Sequence, residues 1–150
     1  MSEIRDTGPR IVAGVDGSAS AREALRWAIR QAELTGASID AVIAWEYPAA
    51  YSGYGMAPVG VADDVDFAVF AEKTVTGEVA AAAGPDSPVQ VRTQVTEGSP
   101  ARVLLDAAGD ADLLVVGSRG HGGFAEALLG SVGQHCVHHA RCPVVVVRAG

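Results

Sequence analysis

Short apolar runs of strand length alternate along this chain with stretches of helical periodicity, and that alternation limits the fold more than any other feature. Residues 10–15 (RIVAGV) form the first run and stop at Asp16-Gly17-Ser18, which predicts a buried strand followed by a turn. A helix follows at once. Ser20 as N-cap and Glu23 three residues on make a capping box, while Ala21, Ala24, Leu25, Ala28, Ile29 and Ala32 share one face opposite Arg22, Arg26, Arg30 and Glu33. Gly36 is placed to close this helix. Residues 39–45 form the second run. From 46 to 62 periodicity disappears, with two prolines, three tyrosines and three glycines, and the segment is expected to be a long loop. An alanine-rich helix is expected over 63–83, and a strand with one solvated face over 89–95, where apolar and polar residues alternate. Ser99 as N-cap and Pro100 at the first helical position start the next helix, which stops at Gly109. Residues 112–116, 131–140 and 143–147 then give a strand, a helix and a last strand.

Strands that alternate with helices imply a parallel sheet covered on both faces, because each crossover is right-handed and returns to the same end of the sheet. The nearly continuous apolar runs suit strands buried on both sides. The expected fold is therefore α/β: a doubly wound, five-stranded parallel sheet in the order 3-2-1-4-5. At 150 residues the chain has the length of one ordinary domain, assigned to 1–150.

Charge and composition narrow the function. A net charge of −7 speaks against nonspecific nucleic-acid binding, which needs a basic footprint, but leaves room for a local phosphate site built from backbone N–H groups. The polar opening MSEIRDTGPR has no signal-peptide core, and no apolar run approaches the ~20 residues of a membrane span. Two cysteines, Cys136 and Cys142, are too few for a disulfide framework. The expectation is a soluble cytoplasmic protein with no membrane partner.

In sheets of this order ligands bind beyond the carboxyl ends of the strands, where the winding reverses, here between the first and fourth strands. The residues just past those strands are Asp16-Gly17-Ser18 and Gly117-Ser118-Arg119-Gly120, the latter opening the most glycine-rich stretch of the chain. Gly117 and Gly120 are expected to let the backbone turn and approach a phosphate, where a Cβ would intrude. Gly130-Ser131 opens the last helix, whose N-terminal N–H groups favour an anion, and the Ser131 hydroxyl adds a donor.

Gly117, Gly120, Gly130 and Ser131 together spell G-x2-G-x9-G-S. With the preceding LLVVG, the following SVGQHCVHHARCPVVVV, the opening IVAGVDGSASAREALRWA and the middle EGSPARVLLDAAGDADLLVVGSRGHGG, this resembles the universal stress protein family over essentially the whole chain. The resemblance implies a Rossmann-like fold and, in members with this glycine motif, binding of ATP or a related adenine nucleotide, with Mg2+ as a companion ion and AMP or cyclic AMP as alternatives. It implies that Val15 and Asp16 line the adenine and ribose end, that Ala44 contacts the base, and that Gly117, Arg119, Gly120, Gly130, Ser131 and Val132 hold the phosphates. It also implies a stress-response role and a homodimer through the last strand, 143–147. The position after Val132, often a hydroxyl residue in the family, is Gly133 here.

The parts of a fast phosphoryl-transfer enzyme are missing. There is no Walker A loop, the one lysine is Lys73, and Asp16 is the carboxylate placed in the crevice, with Glu126 the next nearest along the connector. Binding with slow or absent hydrolysis is expected, and no catalytic residue is assigned. A dinucleotide oxidoreductase is disfavoured, since no GxGxxG follows the first strand. The alternative is a dimeric interaction protein with an empty or cyclic-nucleotide-binding pocket. His135, His139, Cys136 and Cys142 fit no standard zinc spacing, and no metal ligand is assigned. Tyr47, Tyr51, Tyr54 and Met56 form an aromatic group in the 46–62 loop that would serve as a lid or a partner surface.

Overall fold

The computed structural model describes residues 8–47, 66–119 and 129–149. Along the chain lie β1 (Arg10–Gly14), α1 (Ala19–Thr35), β2 (Ser38–Trp45), α2 (Phe67–Ala83), β3 (Val91–Glu97), α3 (Pro100–Ala107), β4 (Leu113–Gly117), α4 (Ser131–His139) and β5 (Val144–Val147). The strands form one parallel sheet in the order β3-β2-β1-β4-β5, as the alternation predicts.

Strand period divides the core into two apolar layers. Ile11, Ala13, Ile39, Ala41, Ile43 and Val115 face α1 and α2, meeting Ala24, Leu25, Ala28 and Val75. Their neighbours Val12, Val42, Leu114 and Val116 face α3 and α4, meeting Val103, Leu104 and Cys136. The opposite, N-terminal end of the sheet is tied by charge. The Arg10 guanidinium pairs with Asp40 at 2.6 Å and with Asp110, and Arg92 reaches the other oxygen of Asp40 at 3.1 Å. The Arg10 backbone N–H also donates to the Asp112 carboxylate at 2.8 Å, so this cluster joins the starts of four strands.

The start of α1 differs from expectation. Its N-cap is Ser18, whose hydroxyl accepts from the Ala21 N–H at 3.3 Å, and Glu23 pairs with Arg26 instead of closing a capping box. Ser20 lies inside the first turn, buried, because its hydroxyl is taken by a distant partner described below. At the other end Gly36 adopts a left-handed φ of 78° and returns its N–H to the Ala32 carbonyl, a position where any other residue would be strained. The strand expected over 89–95 sits two residues later, at Val91–Glu97, and its mostly exposed side chains fit an edge position.

Candidate functional site

The carboxyl ends of β2, β1 and β4 open onto a cavity of about 180 Å³, at the reversal of strand order. Its walls are mostly apolar. Val42 and Ala44 come from β2, Val116 from β4, and Pro100 and Leu104 from α3, with Val132 and Gly133 from the first turn of α4. Pockets that take whole drug-sized ligands run to roughly 300–1,000 Å³, so this one suits a flat heterocycle with the remainder of a ligand lying outside. Among the described residues two charged ones line it, Asp16 and Arg119.

Of the residues singled out from the sequence, Val15, Asp16, Ala44, Gly117, Arg119, Gly130 and Val132 all line this cavity. Val15 does so although its side chain packs in the α1–α2 layer, and its N–H is bonded to the Val42 carbonyl at 2.9 Å. Asp16 holds the turn after β1: one carboxylate oxygen accepts the Ser18 N–H at 2.8 Å. Its second oxygen has no partner among the described residues and can receive a ligand hydroxyl. Ser131 falls outside this cavity, on a neighbouring depression between α3 and α4 that it shares with Arg102, Leu105 and His135. Gly120, and with it the middle of the connector including Glu126, lies outside the described residues.

Two glycines have local tasks in the fold in addition to those expected. Gly117 does not need a left-handed backbone, since positive φ values occur at Gly17, Gly36, Gly84 and Gly98. A Cβ on Gly117 would lie 2.7 Å from the Ala21 nitrogen and 2.7 Å from the Ser20 carbonyl carbon. It is glycine because the first turn of α1 packs directly on the end of β4. The same contact holds Arg119: the Ser20 hydroxyl donates to its carbonyl at 2.5 Å and accepts its N–H at 3.2 Å. The Gly130 N–H is also committed, donating to the Ser118 carbonyl at 2.7 Å, so this bond closes the base of the connector. Among the described residues, the donors left at the start of α4 are the N–H groups of Ser131, Val132 and Gly133, which precede the first intrahelical bond from Gln134 to Gly130.

Sequence reading did not single out the wall residues Gly14, Ala21, Val42 and Val116, nor Pro100 and Leu104 from α3. The last two stand four apart at the start of an amphipathic helix, and the packing signal was Gly14, where a Cβ would lie 2.9 Å from the Leu104 Cδ1. Tyr47 stacks edge-on against Trp45 at 5.5 Å and Phe67 at 5.3 Å, away from the cavity wall, which joins the end of β2 to the start of α2. The remaining lid candidates, Tyr51, Tyr54 and Met56, lie outside the described residues.

Both thiols are poor nucleophiles in this setting. Burial, with a smaller contribution from Cys142, pushes the Cys136 thiol up to about 11, and burial likewise raises Cys142. No described helix is long and apolar enough to cross a membrane.

Comparison with known proteins agrees with this architecture. The model of the family described as "Universal stress protein family" matches residues 9–148. A universal stress protein of Mycolicibacterium smegmatis is 38% identical over 144 residues, covering 91% of this chain and 47% of that protein. One from Mycobacterium tuberculosis is 33% identical over 141 residues, covering 91% and 46%. The chain thus spans about half the length of the curated relatives it matches. Among solved structures, UspA from Lactobacillus plantarum superposes with a TM-score of 0.75 at 23% identity, covering 96% of this chain and 100% of that one. A universal stress protein solved in complex with cAMP gives a TM-score of 0.63 at 24% identity, covering 97% and 100%.

Proposed function

The chain belongs to the universal stress protein family, and on that premise we propose that it is a regulatory protein that binds an adenine nucleotide, ATP foremost, in the cavity at the carboxyl ends of β1, β2 and β4. The observation that carries this reading is the pairing of an apolar cleft with unspent backbone donors. Val42, Ala44, Leu104 and Val116 offer the surface a purine needs, and the N–H groups of Val132 and Gly133, unpaired among the described residues, belong to residues that line the same cavity, with that of Ser131 just beside it. Those donors, the helix dipole and Arg119 favour the phosphates. The second oxygen of Asp16 is available to accept from a ribose hydroxyl, and a Mg2+ ion would accompany the phosphates. The absence of a Ser131 wall contact and the presence of Gly133 shift phosphate recognition from hydroxyls to backbone. Gly120 is assigned to the same phosphate group through the family resemblance. A relative solved with cAMP supports adenine nucleotides as a class and keeps the cyclic form in the series to be tested.

Hydrolysis is slow or absent in this reading. Among the described cavity residues Asp16 is the single carboxylate and there is no lysine, so the metal site and base that phosphoryl transfer requires are not assembled there. Nucleotide binding acts by favouring one conformational or assembly state over another. A cytoplasmic location and a homodimer through residues 143–147 belong to the same proposal.

The test is calorimetric titration with ATP, ADP, AMP and cAMP of the wild type and of Ala44→Leu, which fills the cleft. The wild type should bind at least one of them, and Ala44→Leu should lose at least about tenfold in affinity, or ~1.4 kcal/mol, with unchanged circular dichroism. Equal affinity in both proteins would place the nucleotide elsewhere. A second reading, a dimer whose surface does the work, draws on the open edge of β5. Leu114 and Ser118 donate to the carbonyls of Pro143 and Val147, so the odd-numbered residues face β4, and the N–H and C=O groups of Val144 and Val146 point outward.

A further inference from the structure

Three of the four histidines in the chain fall on α4, at 135, 138 and 139, and all three are exposed. A spacing of four sets two helical side chains one above the other. His135 and His139 accordingly bring their rings to 5.8 Å between centroids, with 35° between the planes. An imidazole nitrogen sits ~2.0–2.1 Å from a bound zinc-like ion, so two rings on adjacent tetrahedral positions have centroids about 5.2 Å apart. A small side-chain rotation closes the difference.

The surroundings of His135 favour the tautomer that ligation requires. Its Nδ1 lies 3.3 Å from the Ser131 carbonyl oxygen. A carbonyl only accepts, so this contact favours the proton on Nδ1 and leaves the Nε2 lone pair free for a metal. Metal-bound histidines are commonly steadied by such a bond from their other nitrogen. His139 occupies the last turn of α4, where the unpaired carbonyls favour a cation.

We propose that His135 and His139 form a two-histidine chelate for a divalent transition metal, with water completing the coordination. Copper(II) is the tightest ligand expected, ahead of nickel(II) and zinc(II), by the usual order for imidazole donors. This is a different arrangement from a four-ligand zinc site. Cys136 is fully buried in the α3–α4 layer and unavailable, and no group of three or more His, Cys, Asp or Glu surrounds a common point among the described residues. Two imidazoles with open positions make an exchangeable site. The chelate spans one turn of a nine-residue helix, and His135 shares a surface depression with Ser131 and Val132 from its first turn. Metal binding therefore stiffens the element that offers the backbone donors.

The experiment uses the untagged full chain and copper(II) or nickel(II) chloride alone, followed by calorimetry and by histidine ring signals in NMR spectra. One tight equivalent of copper(II) is expected, with the ring signals of His135 and His139 broadened first. Replacing either by Ala should weaken binding about 10–100-fold, whereas His138→Ala should leave it within about threefold. All three positions are exposed, so the metal-free variants should melt like the wild type, which keeps a loss of affinity from being read as misfolding. Absence of copper binding, equal loss in His138→Ala, or full affinity in His135→Ala and His139→Ala would each overturn the assignment.

Discussion

Gly117→Ala separates the part of the glycine loop that builds the fold from the part that meets a ligand. The new methyl would stand 2.7 Å from the Ala21 nitrogen and from the Ser20 carbonyl carbon, against ordinary contact at 3.4 Å or more. The Ser20 Oγ stands closer still, and because the other two obstacles are backbone, α1 and β4 must part by about 0.7 Å. Overpacking of this kind costs ~1–3 kcal/mol. The same displacement stretches the two hydrogen bonds between Ser20 and Arg119, each worth about 1 kcal/mol net. Loss of glycine freedom in the unfolded chain returns roughly 0.4–1 kcal/mol. The expected outcome is a net loss of about 2–3 kcal/mol in urea unfolding without ligand, or on the order of 5–10 °C in Tm. The control is Gly77→Ala in α2, where an added Cβ meets nothing within 4 Å and stability should rise by ~0.5–1 kcal/mol. If Gly117→Ala unfolds within about 0.5 kcal/mol of the wild type, packing by α1 is not the reason for this glycine. A loss of nucleotide binding in this variant would accordingly not demonstrate a phosphate contact, which is why Ala44→Leu serves that purpose.

Cys136 gives a pH prediction. Its thiol is held up to about 11 in the folded chain, so between the ordinary thiol range and that value the unfolded state gives up its proton first. The folded state then binds more protons, and stability falls as pH rises from about 9 toward 11, by on the order of 2 kcal/mol at most. The wild type should lose stability over that interval more steeply than Cys136→Ala, and parallel profiles would refute the argument. Val146→Pro removes an outward-facing N–H of the β5 edge without touching the bonds to β4. It should shift the proposed dimer to monomer in light scattering, with a modest loss of thermal stability because Val146 also packs against the α3–α4 layer. A dimer of unchanged strength would exclude pairing through this edge.

The sheet order was legible because it depends on features written locally. Four apolar runs and the intervening helical periodicity are enough to demand parallel strands and a reversal of winding. Helix ends that depend on distant contacts were not legible. Ser18 and Ser20 are equally good caps by residue type, and the choice falls to Ser18 because the Ser20 hydroxyl is drawn to Arg119, 99 residues away. The position of β3 slipped by two residues because an edge strand with exposed side chains has little apolar pattern to fix its ends. The site divides in the same way. Asp16 follows from its place just past a strand, Ala44 and Val132 came through the family resemblance, and all three line the cavity. Pro100 and Leu104 come from a helix whose tilt over the cleft is set by close packing on Gly14, which no local motif announces. Glycine composition alone cannot tell a ligand contact from a helix contact, and at Gly117 the helix is what touches.

The most direct test of the central claim is to acid-precipitate freshly purified protein and identify by chromatography the nucleotide released, with Ala44→Leu treated in parallel. The account expects an adenine nucleotide in near-stoichiometric amount from the wild type, or its capture on titration, and its loss from the variant. Release of none, together with no heat on titration with ATP, ADP, AMP or cAMP to the millimolar range, would contradict nucleotide binding and leave the β5 edge as the feature that acts.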